Sequence, residues 1–263
     1  MKTMPSRTLA TALAVLALAA SAPAQAALSA DEVKTILQTI DERQRSTGDY
    51  KALCYVEQKE KDKNDIVREL LVYRRDADDK LMFLFTKPKS EEGKGYLRID
   101  KNLWSYDPNV GKWERTTERE RIGGTNSRRG DFDESRLAVE YDATDEGEEK
   151  LGAFTVHRLS LKVKPGIDVA YPILKLWVDT SNQNVLKRQE FALSGRLMRT
   201  AYYPKWNKLF SESKKGDVWF PGEIRIYDEV EKSNSTLILF KSVDLRDLEA
   251  NIFTKAWLEA KSR

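Results

Sequence analysis

The stretch that decides the fold is Gly95-Tyr96-Leu97-Arg98-Ile99-Asp100-Lys101-Asn102-Leu103-Trp104-Ser105-Tyr106-Asp107-Pro108. A basic, glycine-containing loop follows, and then Asp131-Phe132-Asp133-Glu134-Ser135-Arg136-Leu137. Two short runs of aromatic and branched residues flank Asp100-Lys101-Asn102, which is hairpin turn chemistry. Asp107-Pro108-Asn109-Val110-Gly111 turns the chain again, and Lys112-Trp113-Glu114-Arg115-Thr116 reads as a third strand. The segment predicts an antiparallel meander. Its aromatic residues fit an ordinary core, and they also fit one wall of a cupped sheet that binds something apolar.

Upstream, residues 50–60, 66–75 and 81–86 read as strands joined by the short polar links Lys61-Asp62-Lys63-Asn64 and Asp76-Ala77-Asp78-Asp79. Leu70-Leu71-Val72-Tyr73 and Leu81-Met82-Phe83-Leu84-Phe85 are apolar on both faces, whereas a sheet wetted on one side alternates. A helix laid over one face or an internal cavity would each account for this. Alternation divides the third strand into Leu81/Phe83/Phe85 and Met82/Leu84/Thr86. The fully apolar set is the better cavity wall, and Trp104 and Tyr106 are placed with it. Ser29-Ala30-Asp31-Glu32 is a capping box, and Val33, Ile36, Leu37 and Ile40 follow at helical spacing. An amphipathic helix over residues 30–45 is expected.

Downstream, residues 117–136 break the pattern. Glu118-Arg119-Glu120-Arg121 is a charge run, and Ile122-Gly123-Gly124-Thr125 with Arg128-Arg129-Gly130 has loop composition. Neither G-x-G-x-x-G nor Gly-Lys-Ser/Thr occurs there, so it is no phosphate loop. A short helix is expected over residues 131–139 and an acidic surface turn at Asp145-Glu146-Gly147-Glu148-Glu149. Strands follow at 151–164, 174–179, 185–193, 197–203, 218–229 and 235–245, giving about a dozen in all. Residues 251–258 close the chain with a turn and a short helix.

Residues 1–26 have the organisation of a signal peptide. Lys2 and Arg7 precede an apolar run over 9–20, and Ala24-Gln25-Ala26 is an A-x-A cleavage site. Cleavage after Ala26 would leave residues 27–263 as one exported, soluble domain without a lipobox cysteine. Removing that segment lowers the basic count from 45 to 43 against 42 acidic residues, so the formal net charge falls from +3 to +1. Such a balance supplies no field for nucleic acid, and no nucleic-acid partner is expected. Cys54 is the only cysteine, which rules out an intramolecular disulfide. His157 is the only histidine, so a catalytic triad or a histidine-rich metal site would have to use it. A strand histidine and a core-filling cysteine are expected, with no metal or cofactor.

Gly95-Tyr96-Leu97-Arg98-Ile99 before Leu103-Trp104-Ser105-Tyr106-Asp107-Pro108, the Asp131-Phe132 segment, Val218-Trp219-Phe220-Pro221 and Phe253-Thr254 together resemble the periplasmic LolA-like family of outer-membrane lipoprotein-sorting proteins. The resemblance covers about residues 28–260. After Asp131-Phe132 this chain reads Asp133-Glu134-Ser135-Arg136-Leu137, without the tyrosine common in the family. The resemblance implies a mainly β, α+β fold: a half-open antiparallel β-barrel covering an N-terminal helix and short lid helices. It implies a carrier for the acyl chains of lipoproteins or lipids, moving between an inner-membrane transporter and an outer-membrane acceptor. Leu81, Phe83, Phe85, Trp104 and Tyr106 are the candidate apolar lining. The competing readings are an enzyme using Asp131, Asp133 or Glu134 as acid or base, and an accessory subunit of an envelope complex.

Overall fold

The computed structural model describes residues 27–99, 102–116, 121–125, 127, 131 and 135–262, with the side chain of Arg45 left out. The first helix, α1 (Ala30–Arg45), starts at the expected capping box: the Ser29 N–H donates to Glu32 Oε2 at 2.8 Å, and the Glu32 N–H to Ser29 Oγ at 3.4 Å. Strands β1 (Asp49–Lys59), β2 (Ile66–Arg75), β3 (Lys80–Lys87), β4 (Gly95–Ile99), β5 (Asn102–Asp107) and β6 (Lys112–Arg115) form one meander. A short helix, α2 (Leu137–Glu140), leads into the second: β7 (Tyr141–Leu151), β8 (Phe154–Val163), β9 (Ile173–Asp179), β10 (Val185–Phe191), β11 (Leu197–Ser211), β12 (Gly216–Asp228) and β13 (Ser235–Asp244). The C-terminal helix α3 (Lys255–Lys261) follows.

All thirteen strands belong to one antiparallel sheet in the order β6-β5-β4-β3-β2-β1-β13-β12-β11-β10-β9-β8-β7. The two meanders meet at a single non-sequential pair, β1 with β13. Among the described residues the sheet therefore ends at β6 on one side and β7 on the other, and the two are consecutive in the chain. This is the half-open barrel that the family resemblance implies.

Both faces of the β2–β4 region are covered, which explains its two-sided apolar strands. On the outer face Tyr73, Met82 and Leu97 are buried against Ile252, Phe253 and Leu258 of the C-terminal segment. Gly95 is required there, because a Cβ would stand 2.7 Å from Leu258 Cδ1. On the inner face Leu81, Phe83 and Phe85 join Ala52, Cys54, Val56, Leu70, Val72 and Leu103. Helix α1 lies on the inner face of the other meander, with Val33, Ile36, Leu37 and Ile40 against Leu159, Leu161, Leu174 and Leu176. Each such apolar side chain contributes about 1.5–3 kcal/mol on burial.

Three local expectations change. Of the helix expected over 131–139, the described residues show the turn Leu137–Glu140, whose start Asp41 of α1 fixes, while 132–134 lie outside the described residues. The Asp41 carboxylate accepts from the Leu137 and Ala138 N–H groups, both at 2.9 Å, and pairing of Tyr141 with Val163 ends the helix. The acidic turn at 145–149 is instead inside β7, where a register break and Gly147 at φ +100° mark a bulge. Its acids are tied to neighbouring strands, for example Glu146 to Arg158 at 2.6 Å and to Lys175 at 3.0 Å. The strand expected to stop at Tyr203 runs on to Ser211, since Pro204 sits at a shift in the β11–β12 register. The turn residues Asp100 and Lys101 lie outside the described residues.

Candidate functional site

The concave inner face is the candidate site, and the β2–β5 register sets its composition. Phe83 pairs with Tyr96, and Tyr96 pairs with Ser105. Paired residues share a face, so Leu81, Phe83, Phe85, Tyr96 and Leu103 point inward. Phe83 is 1% exposed and meets the Tyr96 ring edge-on at 6.3 Å. At either end of the apolar belt β2 turns an arginine inward. Arg68 is held by Glu91 through bonds of 2.6 and 3.0 Å, and Arg74 by Asp76 at 2.8 Å.

The same register sends Trp104 and Tyr106, the neighbours of Ser105, to the outer face. Trp104 takes the Lys255 ammonium 4.6 Å from its ring centroid. Tyr106 packs on Trp113, whose indole N–H donates to Glu259 at 2.7 Å. The structure thus divides the five sequence-selected lining residues. Leu81, Phe83 and Phe85 are together inside, while Trp104 and Tyr106 are outside at α3.

Residues 121–125 form a plug on the inner wall. Ile122 is buried in the same apolar cluster as Phe83 and Phe85. Gly123 adopts φ +58°, ψ +28°, and its N–H donates to the Tyr96 hydroxyl at 3.0 Å. A Cβ at Gly123 would lie 2.9 Å from Phe85 Cζ, so only glycine lets the backbone rest on that ring. The plug is pinned by Arg121 to Asp228 at 3.3 Å and by the Ile122 N–H to the Ser127 carbonyl at 2.9 Å.

Between the plugged wall and the α1 core lies a charged cluster on β10 and β11. Glu190 pairs with Arg199 across the strands, and Arg188 pairs with Ala201 on the same inner face. Arg199 donates to both oxygens of Glu190, through Nε at 2.5 Å and Nη2 at 3.0 Å. It also donates to Asp131 through both Nη atoms, Nη1 to Oδ2 at 2.7 Å. Burial works against the charge on Arg199, but Asp131 and Glu190 outweigh it and hold its pKa well above the ordinary value. Arg188 has its Nε 2.8 Å from Glu190 Oε1 but out of line for a hydrogen bond. Sequence analysis missed this cluster. The only signal was a run, Lys187-Arg188-Gln189-Glu190, that reads as a wetted strand face.

The remaining sequence candidates fall elsewhere. His157 Nδ1 lies 3.2 Å from Asp145 Oδ2, beside a cleft of about 400 Å³ lined in part by Asp31, Ile36, Val178 and Gln183. Cys54 is buried in the inner core, and burial pushes its thiol pKa up. Of the acids considered for catalysis, Asp131 is engaged by Arg199, while Asp133 and Glu134 lie outside the described residues. Among the described residues there is no cluster of three or more His, Cys, Asp or Glu side chains that could hold a metal. Nor is any described helix long and apolar enough to cross a membrane.

The model of a protein family described as "Uncharacterized protein" matches residues 77–260. Among solved structures, an outer membrane lipoprotein-sorting protein domain assigned in Vibrio parahaemolyticus superposes with a TM-score of 0.75 at 17% identity, over 88% of this chain and 100% of that one. A LolA superfamily protein from Nitrosomonas europaea gives 0.67 at 22% identity, over 88% and 99%. The chain belongs to the matched family, and its fold is LolA-like. A DUF1329 family protein from Desulfovibrio piger shares this LolA-like fold at a TM-score of 0.74 and 16% identity, over 88% and 100% of the two chains. No curated protein matches the sequence.

Proposed function

We propose that this LolA-like protein is a periplasmic carrier that holds acyl chains against the concave wall of Leu81, Phe83 and Phe85 and delivers lipoproteins or lipids toward the outer membrane. The observation that carries this reading is the plug. Ile122, from the short segment 121–125 outside the thirteen strands, is buried in the same apolar cluster as Leu81, Phe83 and Phe85, which also takes in residues of β1, β2, β5 and β11–β13. Burying Ile122 is worth about 1.5–3 kcal/mol, whereas an acyl chain gains about 0.8 kcal/mol per buried methylene, so a few methylenes match what the plug gives up. The fold of a lipoprotein-sorting domain supports the same class of cargo.

On this reading residues 1–26 are removed after Ala26, and 27–263 form the single working domain. Cargo passes from an inner-membrane transporter to an outer-membrane acceptor. Carrier function needs neither a nucleophile nor a metal. The engagement of Asp131 by Arg199 argues against a free acid–base group at that position. Native mass spectrometry with lipid extraction, on protein taken from its own periplasm, tests the proposal. Bound acyl-bearing species are expected. Protein that carries no lipid and binds no fatty-acid probe would overturn it.

A further inference from the structure

The outer face at α3 gathers aromatic rings and cations beyond what covering the sheet requires. Three of the chain's six tryptophans, Trp104, Trp113 and Trp257, meet there together with Tyr106. Each of these four residues is half-buried, with one flank on the protein and the other in water. Trp257, for example, meets the buried Tyr73 ring edge-on at 5.3 Å. Rings with one apolar flank and one wet flank are those that collect at the water boundary of a bilayer.

Register sorts the charges between the two faces. Arg115 pairs with Trp104 and points outward, whereas Glu114 pairs with Ser105 and points inward. Asp107 and Lys112 pair with each other on the inner side as well. Helix α3 adds Lys255 and Lys261 against one acid, Glu259, and that acid accepts from the Trp113 indole. The ammonium groups lie along the rings. Lys255 Nζ is 4.6 Å from the Trp104 centroid and 5.0 Å from that of Trp113. Lys261 Nζ is 5.7 Å from Trp257, and Lys51 Nζ is 5.6 Å from Tyr73. Asp244, opposite Lys51 on β13, is itself held by Arg246 at 2.9 and 3.0 Å. A chain with a formal net charge of only +3 thus sets four cations around one aromatic patch.

We propose that the outer face of β5, β6 and α3 docks on a bilayer surface carrying anionic headgroups. The three indoles lie at headgroup level, and Lys51, Arg115, Lys255 and Lys261 reach the lipid phosphates. Such contact gains from ring area and from attraction between basic side chains and anionic lipid. Lysine is depleted in protein–protein interfaces, whereas here lysines flank the tryptophans, which favours lipid over an acidic protein. The patch is on the opposite side of the sheet from Leu81, Phe83 and Phe85, so docking and the acyl-binding reading stand or fall separately.

The test mixes residues 27–263 with vesicles of phosphatidylcholine alone, or of phosphatidylcholine and phosphatidylglycerol in equal parts, and measures cosedimentation. Wild type should bind the mixed vesicles about tenfold or more tighter, and added salt should weaken that binding. One basic residue near an anionic surface is worth about fivefold in partitioning, so Arg115→Gln with Lys261→Gln should lose roughly twentyfold. Both side chains are exposed, so folding should survive, and a dansyl fatty acid should bind as it does to wild type. Lys214→Gln with Lys232→Gln, at exposed positions between strands, is the matched control. Because Cys54 is buried, Ala260→Cys on α3 can be labelled selectively with an environment-sensitive fluorophore, which should brighten on the mixed vesicles. No binding, equal affinity for the two vesicles, or an equal loss in the control would overturn the proposal. So would a fluorophore at position 260 that stays dim while the protein cosediments. Normal docking by protein that binds no fatty acid would support this surface and overturn the carrier reading alone.

Discussion

Replacing Gly123 by valine tests whether residues 121–125 are a removable plug or a fixed part of the core. Two penalties fall on the closed state. Gly123 sits at φ +58°, where a residue with a Cβ costs about 1–2 kcal/mol. The new Cβ would also meet Phe85 Cζ at 2.9 Å, and forcing bulk into a packed site costs about 1–3 kcal/mol. Phe85 cannot swing aside freely, because it is buried and its ring leans on Tyr96 at 6.2 Å. The closed state should therefore lose about 2–5 kcal/mol, and about 1.4 kcal/mol is a tenfold change in an equilibrium. If the plug opens independently, the binding-competent fraction rises and the apparent affinity for a dansyl fatty acid rises with it, by tenfold or more where the closed form dominates. Thermal stability should then fall by less than the full penalty, because the open state escapes it. The assay is fluorescence titration and thermal unfolding on the same preparation. A full loss of stability with unchanged or weaker binding would refute the plug.

Other consequences separate the two faces of β3. Phe83→Ala and Leu258→Ala should each cost roughly 2–5 kcal/mol in urea unfolding, but only Phe83→Ala should change the affinity of the fatty-acid probe, because Leu258 packs on the outer face. Equal effects on binding would contradict that division. The Cys54 thiol, buried and with its pKa raised, should stay unreactive to aromatic disulfides in native protein and react on unfolding. Burial pushes the Tyr141 phenol up to about 12, and Tyr50 and Tyr203 also upward. Their folded pKa values exceed the unfolded value of about 10, so their contribution is intact below that pH and is lost as pH rises toward 12. The urea midpoint should decline over that interval, and a midpoint that rises there would be inconsistent with buried phenols.

The expectations that held were those set by local chemistry. A capping box and 3.6-residue spacing define α1, and two-sided apolar strands announce that β3 is covered on both faces. What failed depended on register. Alternation on β3 and on β5 is legible separately. Whether Trp104 shares a face with Phe83 is decided by the β3–β4 and β4–β5 pairings, and a one-residue slip reverses the answer. The acidic run in β7 looked like a surface turn because its cations, Arg158 and Lys175, come from other strands. The Arg188–Glu190–Arg199–Asp131 cluster was hidden for the same reason. Asp131 and Arg199 are 68 positions apart, and charged residues alternating on a strand ordinarily mark its wetted face.

The most direct test of an acyl-binding interior is photo-crosslinking with a fatty acid carrying a diazirine near its tail, followed by peptide mapping of the labelled chain. The account predicts label on β3 around Leu81, Phe83 and Phe85 and on the inner residues of β1 and β2, such as Val56 and Leu70, suppressed by unlabelled fatty acid. Label concentrated on Trp104, Trp113 and α3, or no label that unlabelled fatty acid suppresses, would contradict it.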